Sequence, residues 1–372
     1  MIDVHTADRS VVVIGAGQAG LSAAHHLRRR GLAAEELTVL DAEDGPGGAW
    51  RHRWPSLTLS TVNGVHDLPG MAMADTLGAG EDPTAVTAAS AVPRYYAAYE
   101  QREGLAVRRP VRTVCVTEPG PGDPAADPRG GPYRIETDTG EVLTARGLVN
   151  ATGTWTRPFI PHYPGAATFS GRRLHTRDFR GPDEFAGQTV VVVGGGISAL
   201  DHLSDLAGVA QTVWVTRTPP IFSDEPFTPE VGRAAVARVE DRVRRGLPPG
   251  SVVSVTGLLW TDRYRRAARL GALDRREMFT RITATGVAWD DGTEIAADAI
   301  LWATGFRSSL DHLAPLGLRG PGGGITMDGR LATRVAGRPT LHLAGYGPSA
   351  STIGANRAGR AVAAELLAAL EP

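Results

Sequence analysis

The amino-acid sequence predicts an α/β fold made of two strand–helix–strand units, with the second unit inserted into the first. Two glycine-rich turns, at residues 15–20 and 194–199, each follow a run of β-branched residues that is typical of a parallel strand covered on both faces. The tripeptide Ala-Thr-Gly occurs at 151–153 and again at 303–305, on either side of the second turn. We therefore expect the chain to leave the first unit and to return to it later.

The first unit is predicted from the N-terminal third of the chain. Residues 11–14 form its first strand, and Gly15 opens a helix that continues to about residue 30. Residues 37–40 form the next strand. The segment 118–132, rich in Pro, Gly and Asp, is predicted as an exposed loop between the strands of a small antiparallel sheet. Residues 148–153 then predict a buried strand that ends in glycine.

The second unit repeats this pattern further along the chain. A strand at 189–193 leads into the second glycine turn, and a helix follows to about residue 206. The chain returns in a strand at 212–216. Residues 289–293, Trp-Asp-Asp-Gly-Thr, predict a hairpin turn.

The C-terminal segment is predicted to complete the first unit. A strand at 340–344 and an Ala-rich helix at 355–370 close the chain. We therefore divide it into a first domain formed by residues 1–160 and 301–372, and an inserted domain formed by residues 161–300.

Length and charge indicate an ordinary globular protein that acts on small molecules. The 372 residues suit two or three domains, and a formal net charge of −1 gives no electrostatic footprint for nucleic acid. No apolar run of about 18 residues is present, and residues 1–10 lack the basic and apolar pattern of a secretory signal. We expect a cytoplasmic protein that does not contact a membrane.

Several kinds of catalysis are excluded by the residue types that the chain lacks. There is no Lys, which removes Schiff-base chemistry and lysine-anchored pyridoxal phosphate. The one cysteine, Cys115, cannot form a Cys-x-x-Cys pair and is interpreted as a small buried hydrophobic residue. None of the 10 histidines stands in His-x-x-x-His spacing, so no metal site is predicted.

The first glycine turn has the spacing Gly-x-Gly-x-x-Gly, which is typical of Rossmann-like dinucleotide-binding domains. Its glycines permit a tight turn, close approach of the backbone to a pyrophosphate and close helix–strand packing. Asp41 lies 21 residues after Gly20, where a carboxylate can accept hydrogen bonds from ribose hydroxyls. A helix cap or a surface acid is the alternative for Asp41. The predicted contacts from this turn are Gly15, Gly17, Gln18, Ala19 and Gly20.

The second glycine turn predicts a second dinucleotide site. Gly194, Gly196 and Ala199 take the same three roles, and Ile197 and Ser198 complete the predicted contacts. The strand after this turn leads into Arg217 rather than an acid. Because a guanidinium can form a charge-assisted fork with a 2′-phosphate, NADPH is favoured over NADH. The alternative for Arg217 is a solvated surface arginine.

The segment 169–179, ahead of the second turn, has the pattern Phe-x-Gly-x-x-x-His-x-x-x-Phe. With Gly-Gly-Ala-Trp at 47–50 and the two Ala-Thr-Gly tripeptides, the chain resembles the group B flavoprotein monooxygenases, in a short, soluble, bacterial form of the flavin-containing monooxygenase-like branch. The resemblance extends over nearly the whole chain. It implies FAD in the first site and NADPH in the second.

The resemblance also assigns roles to single residues. Gly48 and Trp50 would hold the flavin, and His175 would support cofactor and interdomain geometry rather than transfer protons. The Ala-Thr-Gly segments would mark the passages between domains, with Thr152, Gly153, Thr304 and Gly305 as cofactor contacts. Gly345, directly after the last strand, is a further predicted contact. Ile353, at the start of the closing helix, would bring backbone N–H groups to the flavin pyrimidine, with simple helix capping as the alternative.

The chain departs from the family pattern at two places. Ile197 stands where the family commonly has Asn, and the asparagine beside the flavin in relatives has no clear counterpart. Asn63 is our candidate for that catalytic role, although Asn-Gly is also an ordinary turn signal. Phe179 replaces the Trp of Baeyer–Villiger enzymes, and residues 54–58 lack the Asp that those enzymes carry.

The resemblance implies an NADPH-dependent, FAD-containing monooxygenase. In such enzymes NADPH reduces the flavin, dioxygen adds at flavin C4a to form a (hydro)peroxyflavin, and a nitrogen or sulfur centre of a small molecule takes the oxygen. The alternatives are a flavin reductase or oxidase without oxygen insertion, a Baeyer–Villiger-type monooxygenase and a redox-sensing nucleotide-binding protein. The expected partners are a small-molecule substrate and dioxygen, with a homodimer left open.

Overall fold

The computed structural model describes residues 6–62, 64–82, 84–120, 131–224, 229–250 and 257–371. In chain order, its strands are β1 (Thr6–Ile14), β2 (Leu37–Leu40), β3 (Val107–Arg108), β4 (Thr113–Thr117), β5 (Tyr133–Thr137), β6 (Val142–Asn150), β7 (Arg172–His175), β8 (Thr189–Val193), β9 (Gln211–Thr216), β10 (Phe222–Ser223), β11 (Leu258–Leu259), β12 (Arg275–Glu277), β13 (Arg281–Ile282), β14 (Gly286–Ala288), β15 (Glu294–Ala296), β16 (Ala299–Trp302), β17 (Met327–Asp328), β18 (Arg334–Val335) and β19 (Arg338–Leu343). The α-helices are α1 (Gln18–Arg29), α2 (Ala88–Glu103), α3 (Ile197–Leu206), α4 (Pro229–Arg244), α5 (Asp262–Arg269) and α6 (Thr352–Leu370).

The first sheet is built around parallel strands from both ends of the chain. Its order is β17-β18-β19-β6-β1-β2-β3, and the five strands from β19 to β3 are parallel. The long strand β6 pairs along its first half with β5 in antiparallel register and along its second half with β19. The predicted antiparallel pair β4–β5 therefore joins the main sheet, while residues 121–130 of its predicted loop lie outside the described part.

The second sheet has the order β12-β9-β8-β16-β7, and all of its strands are parallel. Its strands come from residues 172–302, between β6 and β17 of the first sheet. The predicted α/β class with an inserted second unit is confirmed. The strands β14 and β15 form the hairpin predicted around residues 289–293.

The predicted domain boundary needs one adjustment. A division between residues 300 and 301 would cut β16, whose residues Ala299 to Trp302 all pair with β7 and β8. We propose that the inserted domain ends after Trp302.

Helix α2 is absent from the sequence-based prediction. The Thr87 hydroxyl caps its start by accepting the N–H of Ser90 at 3.2 Å, and Gly104 ends it in a left-handed conformation at φ 62°. Its buried tyrosines, Tyr95, Tyr96 and Tyr99, pack into the apolar cluster beneath α1. These aromatic residues and the interior Pro93 obscure the helical pattern, because neither favours a helix by local propensity.

Helices α1 and α6 cross closely on one face of the first sheet. A Cβ atom on Gly359 would lie 2.7 Å from the backbone nitrogen of Ala23, and the Ser22 hydroxyl donates to the Asn356 carbonyl at 3.1 Å. This crossing fixes the N-terminal ends of both helices beside the same edge of the sheet. No helix in the described ranges is long and apolar enough to cross a membrane.

Candidate functional site

A cleft of about 340 Å³ opens at the carboxyl ends of β1, β2 and β6, where the first glycine turn enters α1. The volume lies in the range of ligand pockets, and this edge of a parallel sheet is where such folds bind nucleotides. The residues predicted from the sequence that line it are Gly15, Gly17, Gln18, Ala19, Asp41, Gly48, Trp50, Thr152, Gly153 and Gly345. One cleft thus gathers predicted residues from five separate segments.

The three glycines of the first turn have different physical roles. Gly15 has a φ of +100°, and a Cβ atom there would lie 2.5 Å from the Ala151 carbonyl oxygen. A Cβ atom on Gly20 would clash with the Gly15 carbonyl. Gly17 has nothing within 4 Å of its missing Cβ, although its backbone lines the cleft. Two glycines therefore serve packing, and the middle one leaves open space for a ligand.

Asp41 is buried at the end of β2 rather than exposed on the surface, and it begins no helix. Its Oδ2 accepts from Arg109 Nε at 3.1 Å, and the same guanidinium holds both Glu100 oxygens at 2.7 Å. Burial raises the pKa of Asp41, while the nearby Arg109 charge opposes that rise. The carboxylate keeps hydrogen-bonding capacity toward the cleft that it lines.

Gln18 is held by contacts inside the protein. Its Nε2 donates to the His66 carbonyl and to Asn356 Oδ1 at 2.9 Å each, and its Oε1 accepts from the Tyr96 hydroxyl. The side chain therefore ties the start of α1 to α2 and α6. We therefore assign the contact of Gln18 with a ligand in the cleft to its backbone.

Arg53 and Trp155 line the same cleft and were missed by the sequence-based prediction. The Arg53 guanidinium carbon lies 5.3 Å from the ring centroid of Trp50 and 4.5 Å from that of Trp155. The Arg53 Nε is buried without a hydrogen-bond partner in the described structure. Further cleft residues that were missed include Glu43, Arg112, Ser309, His312 and Ser349. They lie on loops and short 3-10 helices far apart in sequence, so no local spacing groups them.

The second glycine turn repeats the geometry of the first. Gly194 has a φ of +143°, and a Cβ atom there would clash with the Ala303 carbonyl, just as Gly15 faces Ala151. Gly196 again has nothing within 4 Å of its missing Cβ. Ala199 is fully buried, and Ile197 and Ser198 begin α3. The Trp214 indole N–H donates to the Gly194 carbonyl at 2.7 Å and fixes the turn on β9.

Arg217 is exposed directly after β9 and forms no ion pair with a described residue. A second cation stands beside it, because Arg275 on the neighbouring strand β12 donates from Nε to Thr216 Oγ1 at 2.7 Å. The sequence offered no signal for Arg275, since only strand pairing brings it to this edge.

The chain segments that follow the two Ala-Thr-Gly tripeptides run antiparallel and pair with each other. Thr152 Oγ1 donates to the Ser309 carbonyl at 2.5 Å, and the Ser309 N–H donates back to the Gly153 carbonyl at 2.9 Å. In the second segment, Thr304 donates to the Phe159 carbonyl, and the Phe159 N–H donates to Gly305 at 3.0 Å. The outgoing and returning passages thus support each other.

His175 is buried where these passages meet. The Arg177 N–H donates to His175 Nδ1 at 3.3 Å, which leaves the ring proton on Nε2, and Nε2 then donates to the Gly305 carbonyl at 3.0 Å. Burial lowers the pKa of His175, and the ring lies edge-on to Phe306 with centroids 4.8 Å apart. The neutral ring positions the returning passage and has no free site for proton transfer.

Phe179 closes the Phe-x-Gly-x-x-x-His-x-x-x-Phe pattern at 169–179, which we call the fingerprint. Its ring packs on a second buried histidine. The rings of Phe179 and His202 have centroids 4.3 Å apart, and Nε2 of His202 lies 3.3 Å from Thr176 Oγ1. Burial lowers the pKa of His202 to about 3, and Nδ1 has no partner in the described structure. The ring is therefore neutral at physiological pH.

Besides Gly20, His175, Thr304, Gly305 and the residues of the second unit, two more predicted site residues are not found among those that line the cleft. Asn63 lies outside the described residues. Ile353 is 49% exposed and does not line the cleft, whereas Ser351, Thr352 and Ala355 of the same helix end do. Ser351 caps α6, because its Oγ accepts the Gly354 N–H at 3.1 Å. Across the described ranges, no group of three or more His, Cys, Asp or Glu is arranged to hold a metal ion.

Cys115 is half-buried on β4 rather than fully buried as predicted. The correction follows from β4 lying on the edge of the sheet, where β5 is its one partner among the described strands.

Comparisons with known proteins match this geometry. Residues 12–245 fit the family model described as pyridine nucleotide-disulphide oxidoreductase. Indole-3-pyruvate monooxygenase YUCCA1 from Oryza sativa subsp. japonica is 30% identical over 329 residues, covering 80% of this chain and 77% of the relative. A ferredoxin–NADP reductase from Bradyrhizobium diazoefficiens is 27% identical over 319 residues, covering 86% of this chain and 77% of the relative. A solved flavin-containing monooxygenase from Stenotrophomonas maltophilia is 35% identical with a TM-score of 0.78, covering 97% of this chain and 99% of that one.

The buried His202 predicts a pH-dependent stability. An unfolded chain protonates this histidine near its ordinary pKa of 6.5, whereas the folded protein does so only near 3. Its contribution to stability is complete above about pH 6.5 and is lost as the pH falls. Between about pH 7 and pH 5, we expect the unfolding free energy of the wild type to fall by about 2 kcal/mol more than that of the His202→Leu variant, measured by urea titration. His162→Leu, at an exposed position, is the control, and an unchanged slope in His202→Leu would contradict the expectation.

Proposed function

This chain belongs to the pyridine nucleotide-disulphide oxidoreductase family and, within it, to the flavin-dependent monooxygenases, and we propose that it is an NADPH-dependent, FAD-containing enzyme that oxygenates a nitrogen or sulfur centre of a small molecule. The reaction balances when NADPH, a proton, dioxygen and the substrate give NADP⁺, water and the oxygenated substrate. The observation that carries the proposal is the repetition of one glycine-turn geometry in two units joined by paired passages.

The first cleft fits a flavin dinucleotide. Gly17 leaves the space that a pyrophosphate needs at the N-terminus of α1, and the buried Asp41 offers acceptors for ribose hydroxyls. Gly48 and Trp50 form one wall, and Thr152, Gly153 and Gly345 form another. Bound flavin supplies hydride acceptance and reaction with dioxygen, so the protein has to bind, orient and exclude water.

The second turn fits a nicotinamide dinucleotide that carries a 2′-phosphate. Gly196 leaves the corresponding open space, and Arg217 presents an exposed cation at the end of β9. Arg275 donates a hydrogen bond to Thr216, the residue that precedes Arg217, and adds positive charge at the same edge of the second sheet. Two guanidinium groups favour NADPH, since an acid at this place would repel the phosphate.

Oxygenation of nitrogen or sulfur is supported over ketone oxygenation by two residue choices. The fingerprint ends in Phe179, and the segment 54–58 has no Asp, in contrast to the pattern of Baeyer–Villiger enzymes.

A flavin reductase is the second candidate, favoured by the relative named ferredoxin–NADP reductase that matches 86% of this chain. The two functions differ in where the oxygen goes. A reductase passes electrons onward or releases hydrogen peroxide, whereas a monooxygenase places one oxygen atom in the product.

Isotope incorporation tests the proposed reaction. The purified holoenzyme is given NADPH and ¹⁸O₂ with thioanisole, trimethylamine or cyclohexanone, and NADPH consumption, peroxide and product mass are measured together. We expect the sulfoxide or the N-oxide to carry one ¹⁸O atom, with NADPH consumed in proportion. Labelled lactone as the main product would instead show Baeyer–Villiger chemistry, and peroxide equal to the NADPH consumed in every case would support the reductase.

Gly17→Ala tests the first nucleotide site. The new methyl group meets no protein atom, so the fold should be retained, but it enters the space assigned to the pyrophosphate. We expect the dissociation constant of FAD to rise about tenfold or more, measured by reconstitution of the apoprotein. Gly320→Ala, which also has nothing within 4 Å, is the matched control. Equal FAD affinity in both variants would remove Gly17 from the site.

Arg217→Ala tests the choice of nicotinamide nucleotide. Loss of a charge-assisted contact should raise KM for NADPH by about tenfold or more and leave KM for NADH nearly unchanged. Arg233→Ala, on the exposed face of α4, is the control. If both nucleotides are affected to the same extent, the phosphate contact lies elsewhere.

A further inference from the structure

Arg53 is a cleft residue with no role in the function proposed above. Its guanidinium is enclosed by aromatic rings, 5.3 Å from the centroid of Trp50 and 4.5 Å from that of Trp155. Burial lowers the pKa of Arg53 to about 10, so the group still carries its charge at neutral pH. Its Nε is buried without a hydrogen-bond partner in the described structure.

Two other arginines close by have acidic partners. Arg51 pairs with Asp44, and Arg109 is shared between Asp41 and Glu100. Arg53 forms no ion pair with any described residue. A desolvated cation without a counter-charge is costly, and stacking on aromatic rings offsets only part of that cost. An incoming anion would supply the missing charge and hydrogen-bond acceptors.

The surroundings of Arg53 define the side from which that anion would approach. Trp155 stacks on Phe306 with centroids 5.0 Å apart, and Phe306 contacts the fingerprint residue His175. Arg53 therefore lies where the two passages between the units meet. Arg53, Trp50 and Trp155 all line the first cleft, so a ligand anion would reach the guanidinium from the cleft.

We propose that Arg53 is an oxyanion-binding residue whose ligand is a carboxylate or a phosphate. A carboxylate would come from the substrate, in which case the site selects substrates that carry an acid group, and this assignment rests on the proposed oxygenation. A phosphate would come from the nicotinamide dinucleotide. Both groups present a pair of oxygens that a guanidinium fork can bind.

The test measures binding to the oxidised holoenzyme. Indole-3-acetate and its neutral analogue indole-3-acetamide are titrated against the flavin absorbance, and NADP⁺ is titrated separately. The proteins are the wild type, Arg53→Met and Arg53→Lys, with Arg172→Met as the control, since Arg172 also lies over an aromatic ring but is remote from the cleft and paired with Glu184.

A substrate carboxylate is indicated if Arg53→Met weakens indole-3-acetate by about tenfold or more, to the level of the amide, without changing NADP⁺ binding. A phosphate is indicated if the same variant weakens NADP⁺ instead. Unchanged affinity for both anions overturns the proposal. If Arg53→Met does not fold, Arg53→Lys decides, because a displaced point charge should weaken the anion severalfold and leave the amide unchanged.

These measurements need neither NADPH nor turnover. The proposed oxyanion site can therefore be refuted while the proposed oxygenation is confirmed, or the reverse. The two results are thus distinguished.

Discussion

The structure depends on the close approach of each glycine turn to an Ala-Thr-Gly passage. Gly15 lies against the Ala151 carbonyl and Gly194 against the Ala303 carbonyl, at distances that no side chain permits. Hydrogen bonds from Ala151 to Ile14 at 2.7 Å and from Ala303 to Val193 at 2.8 Å hold the same contacts. This constraint aligns each helix N-terminus with the edge of its sheet, where a phosphate can meet backbone N–H groups.

The same contacts couple the two units. Each passage starts beside a glycine turn, and the two passages pair with each other, so backbone hydrogen bonds link the surroundings of the two turns. The neutral His175 reinforces this connection through its bond to the Gly305 carbonyl. The presence of His175 is thus explained by a structural role, in which its ring acts as a fixed hydrogen-bond donor.

Some charged side chains of the first cleft have a partner of opposite charge, and others have none among the described residues. Asp41 and Glu100 share the guanidinium of Arg109, whereas Arg53 lies against two indole rings with no acidic partner in the described structure. A flavin-dependent monooxygenase needs few acidic and basic side chains, since the cofactor performs the reaction. The protein contributes open backbone at Gly17, the buried acid Asp41 and the cation of Arg53 beside two indole rings.

The sequence by itself determined the α/β class, the insertion and both turns, because glycine spacing and β-branched runs are local consequences of backbone geometry. The sheet order around β6, the helix α2 with its three tyrosines, and the junction of Arg53 with Trp155 were decided only by the tertiary structure. Asn63 stays a prediction, and Arg275 was found only through strand pairing. Residues that meet across 59 or more positions leave no periodic trace, since their proximity arises from packing of whole elements rather than from any local pattern.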